Sequence, residues 1–153
     1  MDFSTAFQAL TTTEKMVKTV DSVIKNAKGY KRALLRELKE NLNLLLLVRN
    51  KHFSAGKVIP KLQTKNYLAA SDAGFNFKLV KRAPLQGKTT RGVPQFKRYL
   101  NWSTERLFEN IYLKINQLQS VIELGTDPSN FDLDIRVENL TRLMILLLNH
   151  IYS

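Results

Sequence analysis

Two short runs, LLLLV at residues 44–48 and LMILLL at residues 143–148, are apolar around the whole circumference of a helix. A helix that is apolar on every side has to be covered on every side. The cover must come from the rest of the chain folding over these runs or from a second copy, with Leu44, Leu47, Leu146 and Leu147 as the residues of such a homo-oligomer contact. Neither run approaches the roughly 18 apolar residues that cross a bilayer.

The segments that hold these runs are otherwise amphipathic. Across residues 30–51, Leu34, Leu35, Leu38, Leu42, Leu45 and Leu46 share one helical face, while Arg36, Lys39 and Asn43 fall largely off it. Residues 4–28 carry Phe7, Leu10, Val17, Val20 and Ile24 at helical spacing, and Gly29 is placed to end that helix. So short a connection makes the two helices antiparallel neighbours. The last third repeats the arrangement. Residues 103–124 carry Leu107, Ile111, Leu118, Val121 and Ile122 behind a Ser103 N-cap, and the turn at residues 125–128 (GTDP) closes them. A final helix runs from about residue 132 to 151, with Asp132 and Asp134 at its positive N-terminal end.

With a constant offset of 98 the two hairpins share features in register. Ser22-Val23-Ile24 falls on Ser120-Val121-Ile122, Glu40-Asn41-Leu42 on Glu138-Asn139-Leu140, Leu35 on Leu133, Leu45 on Leu143 and His52 on His150, nine identities in fifty-five positions. An internal duplication accounts for this, and so do two unrelated hairpins rich in leucine. Either way the expected fold is all-α: a four-helix bundle of hairpins 4–52 and 101–152 in a single domain, 1–153, with an insert at 53–100. Glu40 and Glu138 are placed to pair with Arg36 and Arg142 four residues away. Asn41 and Asn139 precede core leucines, where an amide at the core edge needs a partner.

The insert carries the charge. Residues 51–100 hold eleven Lys and Arg against the single acid Asp72, a net of +10 out of the chain's +11. An excess confined to one segment points to an anionic partner more than to solubility. Residues 58–73 read as one or two short helices, with Pro60 early, Thr64 as a cap and Gly74 as a stop. Residues 75–94 read as a long, largely irregular basic loop, and residues 95–102 as a backward extension of the third long helix. Gly87-Lys88-Thr89 superficially matches a phosphate-gripping loop, but the glycine required five positions earlier is Arg82, and Pro94 follows where a helix should run. That match is accidental.

The chain has no cysteine, which removes disulfides, thiolate metal sites and cysteine nucleophiles. It has two histidines, His52 and His150, both at expected helix ends, where a dipole-favoured cation or surface side chain explains them better than a catalytic pair. Neither a Glu-x-x-His nor a His-Glu-x-x-His metal motif occurs. No enzyme activity, cofactor or metal is expected. The opening, MDFSTAFQALTTTEK, lacks the basic and apolar regions of a secretory signal, so a cytoplasmic location is expected.

The leading expectation is a helical accessory protein that binds nucleic acid, RNA or single strands by preference, through the backbone and without sequence readout. Lys78, Lys81, Arg82, Lys88, Arg91, Lys97 and Arg98 supply phosphate contacts, and Phe96, Tyr99 and Trp102, with Phe75 and Phe77, offer faces for unpaired bases. The same aromatics serve equally as anchors of the segment to the bundle. In architecture and charge the chain is similar to basic accessory four-helix bundles that associate with reverse transcriptases and RNA, with which it shares no quotable motif. Two other readings stand beside this one: an adaptor or subunit of a multiprotein assembly, defence systems included, that docks an acidic partner, and a four-helix domain acting at anionic membranes without spanning them.

Overall fold

The computed structural model describes residues 24, 28–125 and 132–153. Helix α1 is Gly29–Arg49, α2 Ala55–Val58, α3 Lys65–Asp72, α4 Thr104–Glu123 and α5 Leu133–Tyr152. Three 3-10 turns, Ile59–Lys61, Phe77–Leu79 and Pro94–Tyr99, complete the ordered backbone. Among the described residues there is no strand, and the protein is all-α. The expected helix over residues 4–28 lies outside the described residues, apart from a helical, buried Ile24 and Lys28, which precedes α1. Gly29, the first residue of α1, has φ +58, the left-handed conformation that glycine adopts most readily.

Two of the three long helices start where a side chain satisfies an orphan N–H group. Ser103 Oγ accepts from the Arg106 N–H and starts α4; Asp132 Oδ1 accepts from the Ile135 N–H and starts α5. Helices α1 and α4 both pack on α5, and the leucine face of α1 is buried as its spacing requires, with Leu34, Leu35, Leu38, Leu42 and Leu45 fully enclosed. Truncating any of these to alanine costs about 2–5 kcal/mol.

The two fully apolar runs behave differently. Residues 143–148 are buried throughout, because α5 is flanked by α1 and α4 and also receives α2 from the central insert. Leu146 and Leu147 therefore have no surface to offer a second copy, which corrects the expectation that they form an oligomer contact. Leu44 and Leu47 remain half-buried.

Polar side chains of the long helices fasten the first half of the insert. Asn41 is fully buried, and its amide both accepts from the Gln63 N–H (2.7 Å) and donates to the Gln63 carbonyl (2.8 Å). Gln119 Nε2 donates to the carbonyls of Ile59 and Leu62. Helix α3 takes its cap from another helix. Thr64 occupies the N-cap position without a side-chain bond, and instead the buried Glu37 of α1 accepts from the N–H groups of Asn66 (2.7 Å) and Tyr67 (3.1 Å). A carboxylate at a helix N-terminus satisfies two orphan donors and the positive end of the dipole together.

The positions equated by the offset of 98 differ in their polar members. Leu42 and Leu140 are both buried, as are Leu45 and Leu143, but Asn41 is enclosed while Asn139 is exposed, and His52 is exposed while His150 is enclosed. Glu138 pairs with Arg142 at 3.1 Å as expected, and also receives Arg49 of α1 through Nε (3.0 Å) and Nη2 (2.6 Å). Partial burial alone would raise this carboxyl, but the bonds and charges of Arg49 and Arg142 hold it below the ordinary glutamate range. Among the described residues, Arg36 and Glu40 form no such pair and both are exposed.

Candidate nucleic-acid interface

The basic segment is an ordered, closed loop rather than a loose one. Apolar anchors sink its first part into the core: Phe77, Val80 and Leu85 are buried, and Phe77 lies against Phe75, Tyr67 and Phe108. Leu85 then forms a clasp. Its N–H donates to the Trp102 carbonyl and its carbonyl accepts from the Asn101 N–H, both at 2.9 Å, so residues 86–100 leave and return at one point. Within the loop, Thr90 is buried and bonds back to the Gly87 carbonyl through both its N–H and its hydroxyl. The Gly-Lys-Thr residues therefore form a turn and open no helix.

The expected backward extension of α4 over residues 95–102 is not continuous. Pro94–Tyr99 is a 3-10 turn, Leu100 is extended (φ -54, ψ 137) and Asn101 has φ 66 before the Ser103 cap begins α4 anew. The Leu85 clasp occupies the backbone groups of Asn101 and Trp102 that a continuous helix would use.

The cations divide accordingly. Lys78, Arg82, Lys88, Arg91, Lys97 and Arg98 are exposed, and among the described residues none of them forms an ion pair. Lys81 is different. Its ammonium donates to the Ser153 carbonyl (2.7 Å) while its own carbonyl accepts from Thr104 Oγ1 (2.8 Å), so it fastens the insert to the ends of α4 and α5. His150 completes that junction. Its Nε2 lies 3.0 Å from Thr104 Oγ1, and since the single hydroxyl proton goes to Lys81, Nε2–H donates to Oγ1. Burial and the nearby Lys81 charge push the imidazole down to about 4, so it is neutral, not the helix-end cation or surface residue its position suggested. His52 remains exposed.

The aromatics also divide. Tyr99 is buried, packed edge-on against Trp102 (4.9 Å between centroids), with the Arg98 guanidinium 5.3 Å from its ring. Trp102 is half-buried and carries the Arg106 guanidinium 3.8 Å from its ring centre, a cation–π contact that occupies one face. Phe96 is half-buried, and Phe75 and Phe77 are anchors. The packing role thus accounts for most of these rings, and Phe96 keeps the most evident opening because it lines a surface groove.

That groove, of about 250 Å³, lies between the Pro94–Tyr99 turn, α4 and α5. Arg98 comes from the basic segment, Lys114 from α4 and Arg142 from α5, and no carboxylate lines it. It is continued by a smaller hollow of about 90 Å³ that shares Lys114 and Asn139 and adds Arg136. Sequence reasoning did not single out Lys114, Arg136 and Arg142 as binding residues, because they lie in flanks whose charges nearly cancel. Their meeting is set by the packing of α4 on α5, which no local pattern in the sequence encodes.

Among the described residues no group of His, Asp and Glu side chains is arranged to hold a metal ion. None of the helices described is long and apolar enough to cross a membrane. Fold and surface together define a class, an all-α protein with one groove lined by three cations and no carboxylate. Comparison with protein-family models, curated proteins and solved structures finds no match to this chain.

Proposed function

We propose that this is a non-enzymatic accessory protein that binds nucleic acid, single strands or RNA above duplex, through the phosphate backbone. The reading is carried by one observation: six exposed cations lie on residues 78–98, none ion-paired among the described residues, and four of them, Lys88, Arg91, Lys97 and Arg98, are on a loop whose ends are clasped together. A preordered cationic surface loses little conformational entropy on binding a polyanion and gains by counterion release. The architecture we propose for the whole chain is the four-helix bundle, with residues 4–28 as its fourth long helix and the two hairpins as diverged copies. The matched burial of Leu42 with Leu140 and of Leu45 with Leu143 supports the duplication, and the unmatched polar positions mark its divergence.

Fluorescence anisotropy of labelled single-stranded RNA, single-stranded DNA and duplex DNA at two salt concentrations tests the reading. The parallel variant replaces Lys78, Arg82, Lys88, Arg91, Lys97 and Arg98 with glutamine and spares Lys81, whose ammonium is structural. Binding should weaken steeply with salt and disappear in the variant. If the wild-type protein binds none of the three at about 0.1 M salt, the proposal fails, and an acidic protein partner becomes the reading to pursue by pull-down.

A further inference from the structure

The groove between the Pro94–Tyr99 turn, α4 and α5 has a composition that separates it from a general basic surface. Three cations from three different elements, Arg98, Lys114 and Arg142, line it together with the half-buried ring of Phe96 and the side chains of Val93 and Leu143. A site for a simple anion needs no apolar wall, and a site for an apolar ligand needs no cluster of cations. A nucleotide unit needs both, a phosphate beside a base. We propose that this groove receives one nucleotide of a single strand, its phosphate among Arg98, Lys114 and Arg142 and its base against Phe96. The inference rests on the nucleic-acid reading above and assigns it a specific seat.

Two features favour a single strand over a duplex here. A duplex presents its phosphates on the outside of a stiff rod with its bases stacked inside, so it cannot place a phosphate and a base together in a recess of this size. An unpaired strand turns its bases outward freely. The smaller hollow beyond Asn139, with Arg136, gives the strand a path from the groove along α4 and α5. Arg142 also donates to Glu138 through Nε at 3.1 Å, which fixes its guanidinium at the groove wall and reduces its net attraction for a phosphate. Lys114 is consequently the residue that best reports on the site, because it belongs to both hollows and lies outside the segment to which the basic surface was first assigned.

The experiment compares Lys114→Gln, Lys114→Glu and Lys114→Arg in the full chain, with a 5′-labelled oligouridine RNA as probe and the same RNA annealed to its complement as control. Lys114→Gln should reduce single-strand affinity and lower the slope of log K against log salt by about 0.7, the value for one lost phosphate contact to a single strand. Lys114→Glu should weaken binding further, and Lys114→Arg should retain it. Any weak binding of the annealed probe should not respond to these changes. Thermal unfolding followed by circular dichroism confirms that each variant is folded, and Arg136→Gln, at an exposed position, supplies a second report if Lys114→Glu does not fold. The groove is overturned if Lys114→Gln, Lys114→Glu and Arg136→Gln bind the single strand with wild-type affinity and slope while the six-site loop variant does not bind. In that case the loop alone is the nucleic-acid surface. Absence of binding by the wild-type protein overturns both the groove and the broader reading.

Discussion

Acid should undo the junction between the basic insert and the bundle, through His150. The buried imidazole donates to Thr104, which in turn holds the Lys81 carbonyl, and it stays neutral down to about pH 4. In the unfolded chain it titrates near 6.5. Its folded value is the lower one, so the unfolded state binds the extra proton between these limits. The histidine's contribution is therefore fully present above about pH 6.5 and is lost as pH falls toward 4. Every tenfold difference in proton affinity between the folded and unfolded chain is worth about 1.36 kcal/mol, so between pH 7.5 and pH 4.5 the loss is about 2.5 kcal/mol. For a chain of this size that amounts to about 5–10 °C in Tm. Carboxylates such as Glu138 change over part of the same range, so the assay is a difference. Urea unfolding of the wild type and of His150→Gln is followed at both pH values, and the pH-dependent part of the wild type should exceed that of the variant by about 2.5 kcal/mol. Equal losses in the two proteins would refute the view that His150 is held neutral by its burial.

Other perturbations probe the remaining features. Glu37→Ala removes the carboxylate that caps α3 from α1 and strands two N–H groups, and should cost about 2–4 kcal/mol by chemical denaturation, with Glu37→Gln in between. Glu138→Gln leaves Arg49, whose Nη1 is already buried without a partner, with a weaker acceptor; the half-exposed carboxyl limits the expected loss to about 1–2 kcal/mol in the same assay. Leu85→Ala empties an enclosed site at the loop clasp and should cost about 2–4 kcal/mol, with faster amide exchange at Asn101 as its local sign. Asn101→Gly relieves the left-handed backbone at φ 66 and should change thermal stability by less than about 1 kcal/mol, a much smaller effect than any of the others.

What the sequence made legible was local. The leucine spacing of α1, the Ser103 cap, the acidic start of α5, a short helix between Pro60 and Gly74 and the buried amide of Asn41 all follow from residues a few positions apart, where periodicity and cap chemistry act. What stayed hidden joins residues distant in the chain. Nothing around Glu37 marks it as the cap of a helix almost thirty positions later, and nothing around His150 shows that Thr104 and Lys81 enclose it. The basic segment was legible as a charge excess, but its meeting with Lys114 and Arg142 was not, since those side chains belong to flanks whose total charge is close to zero.

The Leu85 clasp separates the length of the basic loop from the geometry of the bundle. Residues 86–100 begin and end at adjoining backbone positions held by one pair of hydrogen bonds, and Phe96 and Tyr99 seat the returning end on the core, so residues 86–93 are the part whose length the helices feel least. Such a loop is a natural cassette. Residues 86–93 can be lengthened, shortened or recoded between the Leu85 clasp and the Phe96 and Tyr99 anchors, giving the scaffold a new recognition surface without a new core.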